Sequence, residues 1–305
     1  VQKYQNHGRL QLPVDYLWQM IKVRLILFAV LLGISWNSEA QTVRILSWNI
    51  KMLPRQLNGI LHHRPIVRTH YIPSEILKDS VDIICFQEAF DMKANKLLYN
   101  ALKQRYPYVS GPANHKKGSV KLNSGVMFLS KYPLKTLGSV DFRECEKEDC
   151  YARKGGLLVE CTVNNKTIQL MGTHMEAGGT AQLKRGQLSE LKRLAVTYAH
   201  PGVPQFMMGD FNIGKSNPDL YGSMLDSLRA LDGPISGELQ YTSDHMLNDM
   251  SNYGPSRDVI DFILYKPNGD KAPQITRYVR RYRASWRKSN SDLSDHFAVW
   301  AEIRW

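Results

Sequence analysis

At 305 residues, with 43% apolar and 22% charged side chains, the chain is long enough to bury a large core and has the balance of an ordinary globular protein, which excludes intrinsic disorder as its default. A formal charge of +12 favours an anionic partner, whether membrane surface, nucleic acid or phosphorylated ligand, without choosing among them. Its four cysteines have no metal-ligand spacing, which argues against a cysteine zinc site.

The first forty residues differ from the rest. Lys22 and Arg24 precede the apolar run LILFAVLLGI, and Ser38 and Ala40 supply the small residues of a cleavage site. This is the pattern of a secretory signal peptide cut near Ala40, and the run is only about half of the roughly 20 residues that span a bilayer. The expected mature protein is therefore secreted or periplasmic, with residues 41–305 forming a single α/β domain. Residues 1–40 hold four basic and two acidic side chains, so that domain keeps +10 of the charge.

From Gln41 onward, short β-rich runs ending in polar residues alternate with amphipathic stretches. The strand candidates in order are VRILSWNI, VDIICFQE, SGVMFLS, GGLLVECTV, TIQLMGTH, QFMMGDFN, DVIDFILY and FAVWAEIRW, each bounded by Gly, Pro, Asn or charge. Asn164 and Asn165 suit a tight hairpin turn between two of them. Helical periodicity is clearest from Ala181 to Ala199, with weaker signals from about Val67 to Lys78 and Lys93 to Arg105. The near-unbroken apolar character of IIC, VMFL and QFMM predicts strands covered on both faces, hence packed sheets flanked by helices. Cys85 and Cys161 lie inside apolar runs and read as buried thiols, whereas Cys145 and Cys150 flank the polar EKED loop and can close a small disulfide in an oxidising compartment.

The polar strand ends are the functional signal. They carry Asn49, Glu88, His174, Asp210 and Asn212; Asp261 lies within DVIDF, and Asp295 and His296 stand just before the last run. Gathered at one edge, they make an inventory for a hard cation, Mg²⁺ or Mn²⁺, and for proton transfer by imidazole near neutral pH. His62, His63, His70 and His115 have no matching partners and read as surface histidines. His245, in YTSDHML, reads as a loop residue near the cleft mouth.

The ordered set WN, QE, GTH, GDFN, IDF and SDH resembles the endonuclease/exonuclease/phosphatase superfamily, the DNase I-like fold, over essentially the whole expected mature chain. The resemblance implies a four-layer α/β/β/α sandwich of two packed, mainly antiparallel mixed β-sheets between helical layers, and phosphate-ester cleavage with Mg²⁺ and a histidine-activated water. Within it, NIKMLP, NSGVMFLSKYPL and YARKGGLLVE are similar to segments of bacterial neutral sphingomyelinases. One departure is Glu176: those enzymes usually place Gln two residues after GTH. The interval RYVRRYRASWRKSNSD is short and basic where several of them carry an aromatic-tipped hairpin. On a single strand, Tyr278, Tyr282 and Trp286 would share a face with Arg280, which fits either an edge strand with solvated arginines, a membrane-contacting surface or a nucleic-acid groove.

The resemblance implies Glu88 as the direct Mg²⁺ ligand, Asn49 assisting and Asp295 nearer the metal than the base. His296 is the expected general base, oriented by Asp261. His174 is expected to protonate the leaving group or hydrogen-bond the phosphate, Asp210 to position water or a second cation, and Asn212 to donate to a phosphate oxygen. Lys154 and Trp286 complete the expected substrate contacts. The expectation is a monomeric phosphodiesterase acting on a phospholipid, with a secreted nuclease acting on nucleic acid as the alternative and a non-catalytic binding protein as the third reading.

Overall fold

The computed structural model describes residues 41–57, 61–251 and 254–305, together with Trp18 and Lys22. Apart from those two positions, the expected signal segment lies outside the described residues. Among the described residues sixteen strands follow one another: β1 Thr42–Met52, β2 Ile83–Ala89, β3 Tyr108–Ser110, β4 Met127–Ser130, β5 Lys135–Asp141, β6 Gly155–Val163, β7 Lys166–His174 and β8 Gln205–Asp210, then β9 Ile235–Ser236, β10 Ser243–Asp244, β11 Arg257–Asp258, β12 Asp261–Lys266, β13 Gln274–Arg280, β14 Arg283–Arg287, β15 Asn290–Asp292 and β16 Ala298–Arg304. Five described α-helices are interspersed: α1 Pro65–Arg68, α2 Ile72–Ile76, α3 Met92–Leu102, α4 Ala181–Thr197 and α5 Pro218–Leu228.

Seven strands form one sheet in the order β3-β4-β2-β1-β16-β13-β9, and five form a second in the order β12-β8-β7-β6-β5. Both are mixed and mainly antiparallel: β1 runs parallel to β2 and antiparallel to β16, while β7 runs parallel to β8 and antiparallel to β6. The alternation of side chains along each strand then assigns three cores. Val43 and Ile45 of β1 meet Leu157, Val159, Phe206 and Met208 of the second sheet, forming the layer between sheets. Leu46, Trp48 and Ile50 point the other way, onto Ile72 and Ile76 of α2 and Ala94 and Leu98 of α3. On the outer face of the second sheet, Leu158, Met171 and Met207 pack on Leu188 and Leu191 of α4 and Met224 of α5. This is the four-layer sandwich.

The helices start where their sequences supply caps. Asp91 accepts from the N–H groups of Lys93 and Ala94, Thr180 from Leu183, and Asn217 from Leu220. Asn164 (φ 48°) and Asn165 (φ 64°) make the expected turn of the β6–β7 hairpin. Three expectations need correction. The periodic stretch from Val67 to Lys78 forms two short helices, with Pro73 inside the first turn of the second. His63 is buried, its Nε2 3.0 Å from the Leu53 carbonyl, and burial holds its pKa down. The basic-aromatic interval is not one strand but two, β13 and β14, and its aromatics turn inward: Tyr282 and Trp286 join the core beneath Trp48, with Trp286 Nε1 donating to the Asp292 carbonyl at 2.7 Å. No helix among the described residues is long and apolar enough to cross a membrane.

Candidate active site

Strand direction brings the polar ends together. Asn49 and Glu88 lie towards the C-terminal ends of the parallel strands β1 and β2; His174 and Asp210 end the parallel strands β7 and β8, in direct register with each other. Asp261 opens β12 and pairs antiparallel with Asp210, so Asp210 sits between His174 and Asp261. His296 stands two residues before β16, which runs antiparallel beside β1. One end of the sandwich thus collects groups from both sheets.

The backbone at this end is held in a rare conformation. Lys51 (φ 47°), Glu88 (φ 54°) and Asn212 (φ 50°) are all left-handed without being glycine, a conformation that costs of order 1–3 kcal/mol each and persists only where the surroundings dictate it. Gly125 makes room for it: a Cβ there would lie 3.0 Å from the Glu88 Cα.

Asn49 is the hub. Its Nδ2 donates to Glu88 Oε1 at 2.9 Å and to Asp210 Oδ2 at 3.0 Å, while its Oδ1 accepts from the Lys51 N–H at 3.1 Å. His174 Nε2 is 4.0 Å from Glu88 Oε1 and 3.7 Å from Asp210 Oδ2. His296 places Nδ1 2.9 Å from Asp261 Oδ2 and Nε2 3.8 Å from Asp210 Oδ2. The ligand atoms of Asp210, Asp261 and His296 all lie within 4.8 Å of one another.

Electrostatics divides these groups into roles. Burial, with the charge of Asp261 beside it, pushes the Asp210 carboxyl up to about 7. Burial opposes a charge on His296, but Asp261 and Asp210 outweigh it and hold the ring well above the usual imidazole value. His174 goes the other way: burial first, then the Lys154 ammonium and His296, hold it well below that value, so it is neutral.

The remaining expected residues are placed as follows. Asn212 Nδ2 donates to the Met175 carbonyl at 3.1 Å, and its N–H to Asp210 Oδ1 at 2.9 Å, so it flanks the cluster. Asp295 is engaged by Lys51 Nζ at 2.5 Å; burial opposes its charge, but Lys51 and His296 keep it ionised below the ordinary carboxylate value. Lys154 is buried with its ammonium 2.8 Å from Asp149 Oδ1, 3.0 Å from the Met175 carbonyl and 3.1 Å from His174 Nε2. In the free protein each of its three N–H groups therefore has an acceptor, one of them His174. Trp286 is buried in the outer core, 5.9 Å from the Arg68 guanidinium, and is not a surface anchor. His245 has both ring nitrogens engaged, by Ser243 at 3.0 Å and Ser256 at 2.9 Å.

Several further residues support the cluster. Thr242 Oγ1 accepts from the Ile260 and Asp261 N–H groups at 3.0 and 3.1 Å, while its carbonyl takes the Phe297 N–H at 2.8 Å, locking Asp261 to the His296 segment. Trp48 Nε1 donates to the His296 carbonyl at 2.9 Å, and Ser294 Oγ to the Asn49 carbonyl at 2.6 Å. Trp48 and Ser294 stand inside the WN and SDH motifs, whereas Thr242 lies in a turn with no such marker.

The donor set suits a hard divalent cation. Glu88 and Asp210 converge on one amide with Asp261 beside them, a concentration of acidic oxygens that suits such an ion, and burial with the Asp261 charge raises Asp210. Glu88 would hold the ion, being the carboxylate at the rim; Asn49 would assist only with its amide turned, since Oδ1 now faces Lys51. Asp295 is committed to Lys51.

The profile of the Endonuclease/Exonuclease/phosphatase family matches residues 46–296. Sphingomyelinase C 2 of Leptospira interrogans serogroup Icterohaemorrhagiae serovar Lai is 24% identical over 300 residues, covering 88% of this chain and 47% of that protein. The chain thus spans about half the length of that relative. Sphingomyelinase C of Bacillus cereus is 24% identical over 309 residues, covering 88% of this chain and 90% of its own. Among solved structures, a Staphylococcus aureus beta toxin double mutant with bound magnesium ions superposes with a TM-score of 0.75 at 22% identity, covering 85% of this chain and 98% of that one, and shows the same fold.

Proposed function

The chain belongs to the Endonuclease/Exonuclease/phosphatase family, and from that premise we propose that it is a secreted, Mg²⁺-dependent phosphodiesterase hydrolysing sphingomyelin or a related phospholipid to a lipid alcohol and a phosphorylated headgroup. The observation that carries it is the convergence of Asn49, Glu88, His174, Asp210, Asp261 and His296 at one end of the sandwich. The names of the relatives favour lipid over nucleic acid. The signal-like residues 1–40 and the Cys145–Cys150 disulfide support export to an oxidising compartment, with residues 41–305 as the catalytic domain.

A bound divalent ion supplies Lewis-acid neutralisation of the charge building on the phosphoryl oxygens. The residues do the rest. His296, with Nδ1 fixed on Asp261, aims Nε2 into the cleft to take the proton of the attacking water. Asp210 lies where it can hold that water between His296 and His174. As water oxygen bonds to phosphorus, the ester bond to the lipid oxygen breaks. His174 is neutral in the free protein; an anionic phosphate beside it offsets Lys154 and favours a proton that the leaving oxygen can take. Asn212 stands ready to donate to a phosphate oxygen once it exchanges the Met175 carbonyl for substrate.

The decisive experiment incubates the protein with sphingomyelin vesicles, glycerophospholipid vesicles and plasmid DNA, with Mg²⁺, Mn²⁺ or EDTA, and reads products by mass spectrometry. Metal-dependent phosphorylated headgroup from sphingomyelin is expected. DNA cleavage outpacing lipid turnover would replace the lipid reading with a nuclease, and no product from any lipid would remove it.

A further inference from the structure

We propose that Glu176 is a positioning residue that works as an un-ionised acid: it donates its carboxyl proton to Asp149, so bracing the line from Asp149 through Lys154 to His174, and slackens that line when it ionises. The inference deepens the phosphodiesterase reading and rests on it.

Glu176 follows His174 by two residues and is buried. Its Oε1 accepts the Glu146 N–H at 3.2 Å, while Oε2 is buried with no donor reaching it. Its neighbour is the Asp149 carboxyl, whose Oδ2 takes the N–H of the next residue, Ala177, and which is carried on the same disulfide-closed turn as the Glu146 N–H that Glu176 accepts. Asp149 is already served by cations and donors: Lys154 Nζ at 2.8 Å on Oδ1 and the Ala177 N–H at 2.7 Å on Oδ2. Two neighbouring buried carboxyl groups cannot both be charged without cost, and the proton goes to the one with fewer donors. That one is Glu176. Its otherwise partnerless Oε2 then becomes the O–H that Asp149 accepts, which accounts for a buried oxygen that has no other explanation in the fold. Burial first, and Asp149 next, push the Glu176 carboxyl up to about 7.

The charged groups facing Glu176 are few. The disulfide turn presents Asp149, with Glu146 contributing only its N–H; the start of β6 presents Lys154, and α4 presents Lys184 beside the neutral Gln187. Ionised, Glu176 would repel Asp149 and compete with it for Lys154. The ammonium that stands 3.1 Å from His174 Nε2 and, after burial, does most to hold that ring neutral would be drawn towards the turn. A glutamine in this place would donate to Asp149 at every pH; a glutamate does so only while it holds its proton.

The test compares Glu176→Gln and Glu176→Ala across pH 6 to 9 with soluble and vesicle phosphodiester substrates. Glu176→Ala is expected to lower kcat by about tenfold or more with KM nearly unchanged. Glu176→Gln should recover most of that loss and hold its rate on the alkaline side, where the wild-type rate falls relative to it. In an Asp149→Asn background the difference between Glu and Gln should vanish. A wild-type and a Glu176→Gln profile that superimpose at every pH would overturn the proposal. Carbon-13 NMR titration of the Glu176 carboxyl needs no activity: it should titrate near 7 and fall towards an ordinary glutamate in Asp149→Asn. An ordinary value in the wild type would overturn the proposal even if hydrolysis is confirmed, whereas a protein that hydrolyses nothing but shows the raised titration would cost the phosphodiesterase reading alone.

Discussion

Asp261 acts on His296 in two ways that one substitution separates. It fixes the ring through Nδ1 at 2.9 Å, and, with Asp210, its charge outweighs burial to hold the imidazole well above its usual value. A general base must be neutral to accept a proton, so the rate should climb as pH rises through the His296 value. Asp261→Asn keeps the shape but removes the charge: the His296 value falls, and the acid limb of the pH profile moves to lower pH. Because the ring also loses the partner that fixes its tautomer, kcat should fall on the order of 10²- to 10⁴-fold. Headgroup-release kinetics across pH, with NMR titration of the ring, check both effects; an acid limb that stays in place would assign the base to another group.

At the scale of elements, what holds the site end closed is a residue that no motif marks. Arg68, at the end of α1, is fully buried and donates to the carbonyls of His63, Ile50 and Leu293 at 2.7 Å each, and to that of Lys51. It ties α1, β1 and the segment before His296 into one unit, and burial lowers its pKa only to about 10, so it stays charged. Arg68→Met leaves those carbonyls without a donor, and a loss of about 3–5 kcal/mol follows. Urea unfolding should show it, and Arg68→Lys should recover only part, since an ammonium cannot span the same fork. The strand ends bearing Asn49, Glu88, His174 and Asp210 were legible because a short β-rich apolar run that stops on a polar residue announces both a strand and an edge. Arg68 was not, because its worth lies in four carbonyls from separate segments meeting at one point. Trp286 misled for a related reason. Aromatics alternating with arginines look alike whether the aromatic face meets lipid or core, and only the break between β13 and β14 turns Tyr282 and Trp286 inward. The helix α5 went unseen because Gly222 and its polar face dilute the periodicity, although Asn217 and Pro218 mark its start.

At the scale of the molecule, the site is a product of sheet packing. The seven-stranded sheet brings Asn49 and Glu88 and, on the approach to β16, His296; the five-stranded sheet brings His174, Asp210 and Asp261. Neither sheet holds both a rim carboxylate and the base with its orienting acid, so the layer of Ile45, Phe128, Val159 and Phe206 between them sets the site's dimensions. The same packing brings Glu88 to the Asn49 amide that Asp210 also accepts and sets Asp261 beside Asp210, whose carboxyl burial and the Asp261 charge raise to about 7. A ligand that binds only the folded state adds about 2.7 kcal/mol at a hundredfold excess over its Kd. For a domain of this size that corresponds to a rise in Tm of roughly 5–10 °C. Adding Mg²⁺ to the apo protein should therefore raise Tm in a saturable way, and EDTA should reverse it. Glu88→Gln removes the rim charge while keeping an acceptor for the Asn49 amide, so it should fold with a Tm at or above that of the ion-free wild type yet show almost no Mg²⁺-dependent rise. If the Glu88→Gln protein responds to Mg²⁺ as the wild type does, the ion is held elsewhere, and Asp210 and Asp261 become the residues to substitute next.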